Sequence, residues 1–197
     1  MTTDLQYQFG LTESLRSQAA LLYDQAFGAK FSVAIKDTNQ RIALLSKALL
    51  LPYAVTAVAS GKLVGLAGFQ TPQGSLTKGI TIKMLFKELG LMRGLRATLI
   101  FSLFEREAQA TELLMDGIAV AAEARGHGIG STLLNELKAY AKEHGYQQIR
   151  LDVIDTNPRA RQLYERHGFK ATEIVHFRFL KGLLGFSAAT TMIYKVA

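Results

Sequence analysis

The chain has 197 residues, of which 49% are hydrophobic and 20% charged, with a formal net charge of +7 and no cysteine. This is the composition of one globular domain long enough to close a core, and it excludes a disordered or low-complexity chain, a disulfide framework, a thiolate metal cluster and a cysteine nucleophile. The charge implies an affinity for anions, but the basic residues are scattered, with modest concentrations at 78–96 and 159–166. No nucleic-acid motif accompanies them, so nucleic acid is not an expected partner.

The opening, MTTDLQYQFG, lacks a basic region followed by an apolar core, so no signal peptide is read and the cytoplasm is the expected compartment. Residues 6–11 read as an edge strand. After Thr12, a suitable N-cap, Leu15, Ala19, Leu22, Tyr23, Ala26 and Phe27 mark one face of a helix that Gly28 is expected to stop. Residues 40–50 give a second helix with Ile42, Leu45 and Leu49 on one face, ended by Pro52. Residues 53–59 and 63–69 are β-like and are separated by Ser60-Gly61-Lys62, which reads as a hairpin.

A long apolar stretch follows, interrupted by Lys83, Lys87, Arg93 and Arg96. Four cations exclude a conventional membrane span, which needs ~20 largely uncharged residues. One or two helices broken near Gly90 or Gly94 are expected. Three uses are open: packing over the sheet or at a homodimer contact, a lid or wall of a cleft, and a basic amphipathic helix resting on a membrane.

The informative stretch is residues 115–131, MDGIAVAAEARGHGIGS. A strand over 112–120 runs into Arg125, Gly126, His127, Gly128, Ile129 and Gly130, and then into a helix from Ser131 with Leu133, Leu134, Leu137, Tyr140 and Ala141 at helical spacing. Glycines at alternate positions let the backbone turn and let a ligand approach its amides. The first amides of the helix lack intrahelical partners and sit at the positive end of its dipole, so a phosphate group is the natural occupant. Neither the dinucleotide fingerprint nor the nucleotide P-loop fits, because the required third glycine and the Lys-Ser/Thr pair are missing.

Arg125-x-x-Gly128-x-Gly130 after Ile118-Ala119-Val120 resembles the acetyl-CoA loop of the GNAT superfamily of N-acetyltransferases. A second segment, residues 151–169 (LDVIDTNPRARQLYERHGF), is similar to the other half of that family's cofactor site, in the same order and at the usual separation. The resemblance covers residue 112 to the C-terminus. It implies an α/β GNAT-type acyl-CoA N-acyltransferase fold: a mixed central sheet of six to seven strands flanked by helices, one domain over 1–197, and a helical insertion at about 74–109 between the third and fourth strands. The family usually crosses there by a short turn, and it often has Pro where this chain has Ala122.

The resemblance also implies roles. Main-chain groups of Ile118, Ala119 and Val120 would hold the pantetheine arm, with the Val120 amide facing the thioester oxygen. Residues Arg125, Gly126, His127, Gly128, Ile129, Gly130 and Ser131 would bind the pyrophosphate; His127 itself reads as a solvent-exposed loop position. Asn157, N-cap of a helix with Pro158 at its first position, would contact the cofactor together with Arg161 and Tyr164. Tyr164 is either the general acid that protonates the departing thiolate or an amphipathic core tyrosine. For the base, Asp116 lies in an apolar strand where desolvation would raise its pKa; Glu112 is the runner-up and His176 a third candidate. Either carboxylate could instead be a polar residue held by Arg or Lys.

Residues 171–180 and 188–196 read as two strands able to pair antiparallel, joined by KGLLGF; Thr190, Thr191 and Tyr194 could line an acceptor pocket. The expected activity is transfer of the acetyl group of acetyl-CoA, a cosubstrate, to a primary amine on a small molecule or peptide by direct attack in a ternary complex. No metal, nucleic acid or stable membrane insertion is expected. Transfer of a longer acyl group, or a non-catalytic CoA-binding sensor, are the alternatives.

Overall fold

A computed structural model describes residues 4–102, 106–177 and 185–196. In chain order the described elements are β1 (Leu5–Phe9), α1 (Arg16–Ser32), α2 (Thr38–Ala48), β2 (Ala54–Ala59), β3 (Lys62–Thr71), β4 (Gly74–Ser75), α3 (Ile82–Leu89), α4 (Leu91–Ser102), β5 (Glu112–Val120), α5 (Ile129–Glu143), β6 (Gln148–Ile154), α6 (Pro158–Arg166), β7 (Lys170–His176) and β8 (Ala188–Lys195). One sheet runs β1-β2-β3-β5-β6-β8-β7, with the two-residue β4 attached to β3. Every neighbouring pair is antiparallel except β5 and β6. The mixed sheet flanked by helices is the expected architecture. The pairing of the last two strands also holds over the described part; residues 178–184 lie outside it.

Each face of the sheet carries its own core. Against α5, Leu133, Leu134 and Leu137 pack with Leu113, Met115, Ile149, Leu151 and Val153. Against α1 and α2, Leu22, Tyr23, Leu45 and Leu49 pack with Ala54, Leu63, Leu66 and Ala119. Burying each leucine contributes roughly 1.5–3 kcal/mol, so both helical layers are held by apolar area. The β2–β3 hairpin turns at Ser60 (φ 49°) and Gly61 (φ 75°), the positive pair a tight turn requires.

The first helix departs from expectation. Thr12 precedes a short 3-10 turn (Glu13–Leu15), and α1 begins at Arg16. Gly28 does not stop it; the helix runs on to Ser32. The glycine is needed there for space, because a Cβ at Gly28 would lie 2.9 Å from Asp24 Oδ1. Asp24 in turn accepts from Arg41 Nε (2.7 Å) and Nη2 (3.1 Å) of α2, both residues being buried. Arg41 Nη1 also donates to the carbonyls of Ile35 and Lys36. This buried pair ties α1, the α1–α2 connection and α2 together.

The insertion breaks at Gly90 (φ 77°), one of the two expected places. Gly94 instead lies inside α4, where a Cβ would come within 2.9–3.1 Å of the backbone at Leu85 and Phe86, so it lets the two short helices cross closely. Leu85, Leu89 and Ala97 pack with Ile35 and Leu44 of the α1–α2 region, and Phe101 meets Phe31 edge-on at 5.5 Å.

Removing one partner of a buried ion pair leaves the other charge uncompensated, so Arg41→Leu is expected to destabilise the protein by about 3–5 kcal/mol in urea unfolding. A loss below about 1 kcal/mol would show the pair to be energetically idle.

Candidate functional site

Strands β5 and β6 are ladder partners at only three positions, Glu112↔Gln148, Leu113↔Ile149 and Leu114↔Arg150. Beyond these they part, β5 continuing to Val120 and β6 to Ile154. A bulge in β5 accompanies the parting: against β3 the register passes from Gly68↔Gly117 to Phe69↔Met115, leaving Asp116 as the extra residue. A bulge bends its strand and re-aims the side chains around it. Gly117 takes φ 146°, and the Phe27 ring stands where a Cβ would be (2.4 Å).

The bulge breaks the simple alternation of faces along β5. Leu113, Met115, Ile118 and Val120 belong to the α5 face. Ala119 and Ala121 belong to the α1 face, and Asp116 lies there too, its Cβ 3.5 Å from a Cβ built at Gly68 and its charge felt by buried Tyr23. Asp116 therefore does not share a side with Ile118 and Val120. Ala121 N–H donates to Val64 of β3 (2.9 Å), so the alternate main-chain groups, those of Ile118 and Val120, are aimed at the widening gap beside β6.

The glycine loop opens directly from this gap. Arg125, Gly126, His127 and Gly128 are exposed; Gly126 (φ 84°) and Gly128 (φ 78°) are left-handed, and a Cβ on either would meet no atom within 4 Å. Glycine is thus required for conformation, while the space over the loop is open. Gly128 is the N-cap of α5 and makes no side-chain cap; the first helical bond is Thr132 N–H to the Gly128 carbonyl. The amides of Ile129, Gly130 and Ser131 are left as outward donors. The helix begins at Ile129, two residues before the expected start, which brings these amides to the end of β5. Arg125 bends back, Nε donating to the Val120 carbonyl at 3.1 Å. His127 lies in the exposed loop, Nδ1 3.4 Å from the Ala124 carbonyl.

Helix α6 closes the same side. Asn157 caps it, Oδ1 accepting from Ala160 N–H at 3.2 Å, and Pro158 follows at N1. Leu163 lies 3.6 Å from a Cβ built at Gly130, which is itself 3.9–4.0 Å from Val120 and Ile118, so α6, the first turn of α5 and the end of β5 converge at one place. Tyr164 is buried against Phe169, rings 5.9 Å apart, and among the described residues its hydroxyl has no hydrogen-bond partner. Burial pushes its phenol up to about 12. Arg161 is exposed and paired with Glu165 at 2.9 Å.

The other candidates lie elsewhere. Glu112 is 1% exposed at the paired end of β5, accepting from Gln148 Nε2 (3.0 Å) and facing Arg150 Nη2 at 3.4 Å. This is the polar residue held by arginine, not a group at the gap. His176 is exposed at the end of β7. A cavity on the α1 face of β6 and β8 is bordered by Arg106, Arg150, Asp152, Glu173 and Thr191; of these the sequence reading had only Thr191, whose Oγ1 donates to Asp152 Oδ1 at 2.6 Å. Thr190 is buried, and Tyr194 packs on Phe169 at 5.5 Å with Lys138 Nζ 4.3 Å from its ring centre. Tyr23, read as an apolar-face residue, is buried on the same side of the sheet as Asp116, whose charge adds to burial in raising its phenol; only the fold could join them. Among the described residues no group of His, Asp or Glu could hold a metal ion, and no helix is long and apolar enough to cross a membrane.

The chain is 39% identical over 56 residues to thialysine N-epsilon-acetyltransferase of Bos taurus, and 39% over 59 residues to an N-acetyltransferase of Schizosaccharomyces pombe. These segments are 28% and 30% of this chain, and the chain spans about a third of the length of those relatives (33% and 36%). Among solved structures, an acetyltransferase superposes with a TM-score of 0.63 over 98% of this chain and all of its own, at 23% identity. A Salmonella typhimurium acetyltransferase, solved with its cofactor acetyl-CoA, superposes at 0.57 over 98% of this chain and 94% of its own, at 18% identity. These likenesses bear on the fold. The model of the acetyltransferase (GNAT) family matches residues 22–169, which take in the parted strands, the glycine loop and α6, and the chain belongs to that family.

Proposed function

We propose that the protein moves the acetyl group of acetyl-CoA to a primary amine by direct attack in a ternary complex. The observation that carries this reading is the junction of the gap between β5 and β6 with the glycine loop of α5: a row of main-chain groups leading to a set of free helix-start amides. Its chemistry fits a carrier with an amide-containing arm and a diphosphate. Acetyl-CoA, when bound there, supplies an acyl group activated as a thioester.

The chain's own residues divide the work between the two faces of the sheet. The amides of Ile129, Gly130 and Ser131, with Gly126, His127 and Gly128 before them and Arg125 beside them, take the diphosphate; both helix dipole and open backbone favour it. Ile118 and Val120 orient the arm, Ala119 carrying the β3 side of the ladder, and the Val120 amide donates to the oxygen on which negative charge develops. Asn157 and Arg161 border the arm from α6. Tyr164, on the α5 face, holds a proton for the leaving sulfur. Its raised pKa keeps the phenol protonated throughout the neutral range, the state a general acid needs. Asp116, on the opposite face beside Tyr23, takes the proton from the incoming ammonium. Acid and base are thus separated by the sheet, which suits attack from one side and departure on the other. Glu112 has no part in this reading.

One observation favours an amine as acceptor. A relative matched in part is named for acetylation of the ε-amine of thialysine.

Because the chain lacks cysteine, a thiol reagent sees only released CoA. Incubation with acetyl-CoA and an amine library should release CoA; binding without release would leave a CoA-binding domain, and calorimetry detecting no association with CoA or its acyl esters would remove the site altogether. Tyr164→Phe should lower kcat by about 10²–10⁴-fold with KM for acetyl-CoA nearly unchanged; wild-type turnover refutes its role.

Gly128→Ala forces a side chain into a left-handed position and should cost roughly 1–2 kcal/mol of stability, weakening CoA binding with it; a variant as stable as wild type would contradict the conformational need.

Tyr164 also makes a pH prediction. Its folded pKa is raised above the ordinary 10.0 to about 12, so through that window the folded state holds a proton that the unfolded state has lost, and stability falls as pH rises. Urea midpoints taken below and within the window should show Tyr164→Phe losing less stability than wild type; parallel losses would mean the phenol titrates normally.

A further inference from the structure

The α3–α4 hairpin presents apolar side chains to solvent on the side away from its core. In α4 the buried positions are Gly94, Ala97 and Ile100, while Leu91 (72% exposed), Met92 (77%), Leu95 (51%) and Leu99 (67%) form a stripe on the opposite side at i, i+1, i+4 and i+8. In α3, Ile82 is 61% exposed. No other stretch of the described chain leaves so many large apolar residues uncovered in one turn-by-turn register. A stripe of this kind on a surface helix marks an interaction site.

Charge identifies it. Residues 74–102 carry Lys78, Lys83, Lys87, Arg93 and Arg96, all exposed, against one carboxylate, Glu88. That carboxylate is engaged by Lys47 of α2 at 2.7 Å, and among the described residues none of the five cations forms an ion pair. A second copy of this chain would bring the same cations against each other and is disfavoured. A nucleic acid would meet the cations and leave four apolar side chains in water. An anionic bilayer surface satisfies both: headgroup phosphates meet the lysines and arginines, whose long stems reach past the stripe, while leucine and methionine enter the acyl boundary.

We propose that the α3–α4 hairpin is a reversible membrane-docking element for anionic lipid surfaces, lying in the interface rather than spanning it. The inference is independent of the acyl-transfer reading, since it rests on the hairpin alone. Its position on the α1–α2 side would seat the Asp116 face of the sheet nearer to the membrane than the glycine loop, which opens on the α5 side.

The test is cosedimentation of the full chain with vesicles of phosphatidylcholine alone and of phosphatidylcholine mixed equally with phosphatidylglycerol. Wild type should bind the mixed vesicles, lose binding as salt is raised, and bind the neutral ones weakly. Arg93→Gln with Arg96→Gln should reduce partitioning about 25-fold, on roughly fivefold per cation near the surface. Leu95→Gln with Leu99→Gln, both at exposed positions that leave folding intact by thermal melt, should abolish it. Because the chain has no tryptophan, Leu99→Trp gives a single reporter whose emission should shift to the blue on anionic vesicles only. Absence of vesicle binding, equal binding to both vesicles, or binding unaffected by the leucine substitutions would overturn the proposal. So would sedimentation velocity showing a dimer that the leucine substitutions dissociate, or retention on duplex DNA or polyglutamate without retention on lipid.

Discussion

The constraint on which the rest of the site depends is one extra residue in β5. With Asp116 inserted opposite Gly68, the strand bends away from β6 after only three paired positions, and the parallel ladder that would otherwise close the centre of the sheet is left open. An open ladder in the middle of a sheet leaves backbone donors and acceptors in want of partners. The structure tolerates this because the side chains around the bulge are held elsewhere: Gly117 admits Phe27, Gly68 makes room for Leu76, and β5 pairs with β3 on either side of the bulge along its other edge. The groups of Ile118 and Val120 are kept available by the same packing that fixes their direction.

The glycine loop extends the same logic by one element. Two left-handed glycines let the chain leave β5 and enter α5 without a connecting segment long enough to cover the amides. The loop is exposed and holds no side-chain cap, whereas the helix behind it is anchored by leucines without measurable exposure. Rigid support under an uncovered main-chain surface is what a phosphate-binding junction needs, since the donors are placed in advance of the ligand. On the reading proposed above, Arg125 would exchange its bond to the Val120 carbonyl for the incoming carrier, which would connect diphosphate capture to release of a main-chain acceptor at the gap.

Much of this was legible in the sequence because it is local. The hairpin at Ser60-Gly61, the Asn157-Pro158 start of α6 and the Arg125–Gly130 turn are each set by residues adjacent in the chain, and they appear where spacing predicts them. What was not legible is set at a distance. Gly28 looks like a helix stop until Asp24 and Arg41, from another helix, are seen to need the space above it. Asp116 and Val120 share a parity in the sequence, and only the register with β3 shows that the bulge puts them on opposite faces. Glu112 and Asp116 are alike as carboxylates in an apolar strand; the fold gives Glu112 to Arg150 and Gln148 of β6 at the paired end and sets Asp116 in the bulge.

The distribution of charge completes the picture, and it is not uniform. The buried cation Arg41 and the half-buried Arg150 are matched to Asp24 and Glu112 and serve the fold. Arg125 stands at the glycine loop, one cation against what would be a doubly charged diphosphate, so the loop's amides and helix dipole must carry most of the attraction. The cations of the α3–α4 hairpin belong to neither group: they are exposed, on a hairpin that packs against the α1–α2 region, whereas the loop opens α5. The net charge of +7 therefore cannot be assigned to carrier binding as a whole. The insertion that interrupts the usual short crossing carries its positive charge on a separate surface, beside an apolar face of its own.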